Sequence, residues 1–252
     1  MSLNLCADQL IMQLADTEQI LGLTELSRDE AGSYYFQRAQ SLPVSNATAE
    51  ELLALNPDLV VAGTYTTQHT VRMLTELGLR IETLPIANSV DQLLDNLEKM
   101  GDWLGQHQRA RREIEEIKKR LASLTPSSGQ RPLAAVYDPN GYTVGDQTLR
   151  GHMLTLAGWD NLAAQQGVQY FGSMSLETLI VNAPDAIVES PYSPGTWSRA
   201  QRLTRHPALG VQGINPKVIT LPSRSTICAG PWTLDVIEQL QAERLMLETP
   251  GA

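Results

Sequence analysis

Two cysteines, four histidines and two phenylalanines are all that this 252-residue chain has of those residue types. Cys6 and Cys228 are too few for a disulfide framework or an iron–sulfur cluster. His69, His107, His152 and His206 are scattered without ligand spacing, so a bare metal ion held by protein side chains is not expected. Each of them reads as a surface or helix-end histidine. No Gly-x-Ser-x-Gly elbow, P-loop, Gly-x-Gly-x-x-Gly or His-Glu-x-x-His is present, so nothing requires catalysis or a cofactor. Apolar runs stop well short of the ~20 residues that a membrane span needs. Positive charge is also in deficit: 19 Lys and Arg against 28 Asp and Glu leave a net −9, which excludes a phosphate backbone as partner. The richest basic stretch, Arg109–Arg120, is interleaved with Glu113, Glu115 and Glu116, the pattern of a solvated helix face. No signal peptide opens the sequence; Ser2–Leu5 reads as a strand with a helix behind it.

Short β-rich runs alternate with helical patterns, which argues for α/β layers with mostly parallel sheets. Strands are expected at 59–62, 80–84, 133–137, 186–189 and 217–221, and helices at 7–14, 49–55, 71–77, 149–157, 176–182 and 234–247. One segment occurs twice. Glu50-Glu-Leu-Leu-Ala-Leu-Asn-Pro-Asp58-Leu-Val-Val aligns without a gap on Glu177-Thr-Leu-Ile-Val-Asn-Ala-Pro-Asp185-Ala-Ile-Val. A second pair follows in the same order, Arg80-Ile-Glu-Thr-Leu-Pro85 and Lys217-Val-Ile-Thr-Leu-Pro222. Either pair alone would be ordinary α/β punctuation; together they indicate a duplication and two similar α/β lobes, with a ligand cleft between them. Ser89 and Gln92 form a capping box for a helix carrying Leu93, Leu94, Leu97, Met100 and Leu104. A break is expected near Gly105–Gln106, then a second helix over 107–124 that ends in a linker at 125–130. The lobes so predicted are 1–105 and 126–252, joined by a stiff backbone helix over 106–125 that permits only small lobe motions.

Ligands of α/β sheets sit beyond the carboxyl ends of the strands. The loops there hold much of the chain's aromatic content: Tyr65, Tyr142, Tyr170, Phe171, Tyr192 and Trp197. Aromatic loop residues offer flat contact area to a rigid, bulky ligand at little entropic cost, although such residues also pack simply under loops. Arg224, which follows Pro222, would meet either a ligand anion or a surface acid.

Several blocks in this order resemble the cobalamin and ferric-siderophore receptors of ABC importers. They are Ser2-Leu-Asn-Leu with its helix, Ala49-Glu-Glu-Leu-Leu-Ala-Leu-Asn-Pro-Asp-Leu-Val and Leu77-Gly-Leu, then Gly141-Tyr-Thr-Val-Gly, Ser175-Leu-Glu-Thr-Leu, Pro184-Asp-Ala-Ile-Val and Gly230-Pro-Trp-Thr-Leu-Asp. The resemblance covers nearly the whole chain. It implies two Rossmann-like lobes bridged by a backbone helix, a periplasmic or otherwise extracytoplasmic site of action, a signal peptide lying outside this sequence, and an ABC permease as partner to a monomeric receptor. The ligand it implies is a metal chelate: a ferric siderophore, haem or cobalamin. Carried over by position, Tyr65, Tyr142 and Phe171 match ligand-facing aromatics, and Arg224 lies in a variable loop that touches ligand. Trp197 joins them from the strand-end loops. Family members carry a Glu on each lobe for the permease; around the first of these positions this chain has Gln68 and His69, with Glu76 or Glu82 as substitutes.

Cys6 and Cys228 both fall near the expected cleft. Three arrangements are open: a disulfide that staples the lobes, a thiolate pair facing a bound metal, or two buried thiols. A metal-cluster oxidoreductase or chelatase built on two such lobes is the alternative function, and it would need more Cys or His ligands than the chain offers.

Overall fold

The computed structural model describes residues 1–46, 48–124, 130–192 and 215–248. The chain divides into two compact units. The first comprises Met1–Ala87, Asp91–Lys118 and Ile227–Pro231, and the second Asn88–Val90, Lys119–Thr226 and Trp232–Ala252.

In the first unit, Ser2 makes a single parallel bridge to Val61 where a strand over 2–5 is expected. Asn4 is the reason. Its side-chain oxygen accepts hydrogen bonds from the N–H groups of Cys6 and Ala7, at 2.9 and 3.3 Å, which starts helix α1 (Leu5–Leu14) at once. Ala7, Leu10, Ile11, Met12 and Leu14 are all buried, so α1 is a core helix. The short α2 (Phe36–Ala39) and then α3 (Ala49–Leu55) lead to strand β1 (Val60–Gly63). Helix α4 (Gln68–Glu76) crosses to β2 (Ile81–Leu84), which pairs with β1 in parallel. Met1, Leu52, Val60, Leu74 and Leu79 form one core cluster here.

Helices α5 (Val90–Leu104) and α6 (His107–Ser123) follow the expected break. Gly105 adopts φ +68°, the left-handed conformation that ends helices. Gly101 has a role the sequence pattern does not show: a Cβ there would lie 2.5 Å from that of Ala110, so the glycine lets the two helices approach closely. The chain passes from the first unit to the second within α6, between Lys118 and Lys119.

The second unit starts with β3 (Leu133–Val136) and β4 (Tyr142–Val144), then α7 (Leu149–Leu156), β5 (Asp160–Asn161), α8 (Leu162–Gln165) and β6 (Phe171–Ser173). It continues through α9 (Leu176–Asn182), β7 (Ala186–Glu189), β8 (Lys217–Thr220) and α10 (Thr233–Glu248). The order β5-β3-β7-β8 makes a wholly parallel sheet, while β4 and β6 form a separate antiparallel ribbon. Ala135, Tyr137, Leu162, Leu179 and Ile187 pack as its core. Trp159, fully buried, donates from Nε1 to the carbonyl of Leu240 at 2.9 Å and so ties α10 to the start of β5. Arg120 reaches from α6 to both Asp235 and Glu238 on α10, at 2.6 and 2.8 Å.

The duplicated segments fold alike. Helices α3 and α9 have seven residues each and are capped by Thr48 and Ser175, whose hydroxyls accept the N–H three residues on. Both end in a left-handed residue just before proline, Asn56 (φ 43°) and Ala183 (φ 44°). The strands that follow pair in the same register: Val60 faces Ile81 in one repeat, and its counterpart Ile187 faces Val218 in the other.

Candidate functional site

The carboxyl ends of β1 and β2 in the first unit carry a tightly held turn. The N–H of Gly63 donates to the Thr66 hydroxyl at 3.0 Å, and the N–H of Thr66 returns to the Gly63 carbonyl at 2.9 Å. The Thr64 hydroxyl donates to the carbonyl of Leu84 at the end of β2. Tyr65 stands at the crest of this turn, 84% exposed. Its phenol is therefore open to solvent on a turn whose backbone is well bonded. The neighbouring segment after Pro85 is held by Asn96, whose amide donates to the Pro85 carbonyl at 2.8 Å, and it leaves Ile86 exposed.

In the second unit the β4–β6 ribbon carries the aromatics. Val144 faces Phe171 and Tyr142 faces Ser173 across the ladder. Tyr142 and Phe171 are thus diagonal neighbours on one face, a spacing that aromatic rings can span. Their rings stack with centroids 6.2 Å apart and planes 22° from parallel. Both remain exposed, as does Tyr170 beside them. The result is an open aromatic platform whose backbone is fixed by the ladder. Burial raises the pKa of the Tyr142 phenol above its ordinary value; the Arg150 guanidinium opposes that rise and the Asp138 carboxylate adds to it.

Arg150 and Asp138, which sequence reasoning passed over, adjoin the platform. They form an ion pair at 2.6 Å next to Tyr142. The available signals were slight: an arginine in the helical run Leu149–Leu156, and an acid two residues beyond β3, just before Pro139.

Arg224 lies half-buried in the single helical turn Ser223–Ser225 that follows β8. Trp197 falls outside the described residues. Cys6 and Cys228 are joined in a disulfide with their Cα atoms 5.3 Å apart. By compact unit, Ile227–Pro231 group with the first, so both cysteines belong to that unit. Neither sulfur is then available as a thiolate to face a metal. No cluster of three or more His, Cys, Asp or Glu that would hold a metal ion occurs among the described residues.

A family profile described as periplasmic binding protein matches residues 1–224. A cobalamin-binding protein of Halobacterium salinarum is 25% identical over 197 residues, which is 74% of this chain and 52% of that protein. The chain thus spans about half the length of this relative. An uncharacterized ABC transporter substrate-binding lipoprotein of Bacillus subtilis is 23% identical over 81% of this chain and 67% of its own. Among solved structures, a periplasmic heme binding protein from Pseudomonas aeruginosa superposes with a TM-score of 0.74 at 22% identity, covering 100% of this chain and 94% of that one. At that identity the likeness establishes the fold.

Proposed function

Because this chain belongs to the periplasmic binding protein family, we propose that it is a non-enzymatic, extracytoplasmic receptor that acts as a monomer and delivers a metal chelate to an ABC permease. The cargo we favour is a metal-bearing macrocycle, haem or a corrinoid, with a ferric siderophore as the second class. The exposed Tyr142–Phe171 stack carries this reading. Two nearly parallel, partly exposed rings offer flat apolar area to a flat, rigid ligand. Tyr65, on its bonded turn, is the corresponding contact in the first unit. A chelate also suits a protein whose described residues gather no metal-ligand cluster of their own, since the ligand brings its metal already coordinated.

The alternative of a metal-cluster oxidoreductase or chelatase is set aside. Such a centre needs free Cys or His ligands, and both cysteines are committed to a disulfide. For the permease contact on the first unit, Glu82 is held by Arg80 at 3.0 Å, which leaves the exposed Glu76 as the acid we favour.

Titration with haem, cyanocobalamin and a ferric siderophore, followed by visible absorbance and tryptophan fluorescence, tests the proposal. At least one is expected to bind in the micromolar range or tighter. Tyr142→Ala and Phe171→Ala should each weaken that ligand by about ten-fold, the typical loss on truncating an aromatic contact. Affinities no tighter than millimolar for all three would refute the reading.

A further inference from the structure

The ion pair of Arg150 and Asp138 is largely buried, with side chains only 15% and 12% exposed. A pair taken this far out of water adds little net stability, because desolvation offsets most of the attraction. Its geometry points to another role. The Arg150 Cζ lies 6.0 Å from the centre of the Tyr142 ring, within reach of cation–π attraction. Asp138 is fixed from several sides. Its Oδ1 accepts the Ser190 N–H at 3.0 Å, and Ser190 Oγ meets Thr226 Oγ1 at 2.9 Å. Its own N–H donates to the Tyr142 carbonyl at 2.9 Å, and its carbonyl accepts the Gly141 N–H at 3.1 Å. One residue therefore holds both the backbone of Tyr142 and the cation beside the Tyr142 ring.

We propose that Arg150 is a positioning residue. Anchored by Asp138, it holds the Tyr142 ring in the orientation that stacks on Phe171, so the platform is formed before ligand arrives. Arg150 then acts on ligand through Tyr142 and not by touching it. The gain comes from pre-organisation: a ring already held loses less freedom on binding than one that must be ordered. This inference rests on the reading that Tyr142 meets the ligand.

A double-mutant cycle tests it. Arg150→Met alone leaves the Asp138 carboxylate buried without its cation, so the working variant is Arg150→Met with Asp138→Asn. The Asn oxygen still accepts the Ser190 N–H, and thermal unfolding checks that this variant remains folded. Its affinity for the tightest of the three probes should fall about ten-fold. In a Tyr142→Ala background the same pair of substitutions should change affinity less than two-fold. Unchanged affinity in the first case, or the full ten-fold loss in the second, overturns the proposal. A second measurement needs no ligand. The Tyr142 phenol is followed by NMR of ring-labelled tyrosine and assigned by its loss in Tyr142→Phe. Its titration should move to higher pH in Arg150→Met, once thermal unfolding shows that this variant too is folded, because the cation opposing its rise is gone. An unmoved titration overturns the contact on which the proposal stands. Should the unaltered protein bind none of the probes, the receptor reading fails and the phenol titration still decides the position of Arg150.

Discussion

Asp8 is a carboxylate with no exposure to solvent, in the first turn of α1. Thr24 donates to it from both its backbone N–H and its hydroxyl. Burial nonetheless outweighs these bonds and lifts its pKa to about 6. A carboxyl whose folded value lies above its unfolded value near 3.8 favours the folded state most when protonated. Its stabilising contribution is complete below pH 4 and is lost as pH rises through 6, with a total of about 3 kcal/mol. Asp8→Asn should therefore be nearly neutral at pH 4 and stabilising by about that amount at pH 7.5. Urea unfolding at the two values checks this; an equal effect at both pH values would show that ionisation plays no part. Sequence alone gives no hint of it, since an acid in the first turn of a helix is ordinarily a favourable surface charge. Arg150 and Asp138 escaped for the same reason. Their meaning depends on what the ribbon places above them.

Among the elements, the repeated helices were the most legible. Their apolar spacing, the capping hydroxyl and the proline stop all lie within a dozen residues, so local chemistry decides them. Proline disfavours the right-handed helical conformation in the residue before it. Asn56 and Ala183 leave the helix in the left-handed region, and each still returns its N–H to the carbonyl four residues back. Asn tolerates that conformation, whereas Ala is strained in it. Ala183→Gly should raise stability by about 1 kcal/mol, and Asn56→Ala should lower it by a similar amount. Opposite shifts in melting temperature are the expected result; shifts of the same sign would mean that the two helix ends are not equivalent. Pairing was less legible than the strands themselves. The ribbon of β4 and β6 joins residues almost thirty positions apart, and nothing local announces it. Tyr142 and Phe171 could thus be chosen as separate candidates, while their stacking could not be foreseen.

At the scale of the whole molecule, the sequence pattern led to an α/β protein in two parts. It did not indicate that the first part is discontinuous. Ile227–Pro231 return to it after the second sheet is complete, and Cys228 is bonded to Cys6 across 222 positions. Contacts between residues so distant in sequence have no periodic signature. Closing so long a loop removes much of the entropy of the unfolded chain. Reduction, or Cys6→Ser with Cys228→Ser, should lower unfolding free energy by up to about 5 kcal/mol. Denaturant titration with and without dithiothreitol measures the change, and a loss below about 1 kcal/mol would mean that the bond contributes little to the folded state.

The same returning segment sets an order of events during synthesis. A ribosome has made the whole of the second parallel sheet before it reaches Ile227, so the amino-terminal part, although begun first, waits for most of the second unit before its last piece exists. Until Cys228 emerges, Cys6 is without its disulfide partner. The last piece of the first unit and the partner of Cys6 therefore arrive together, with helix α10 of the second unit still to be made.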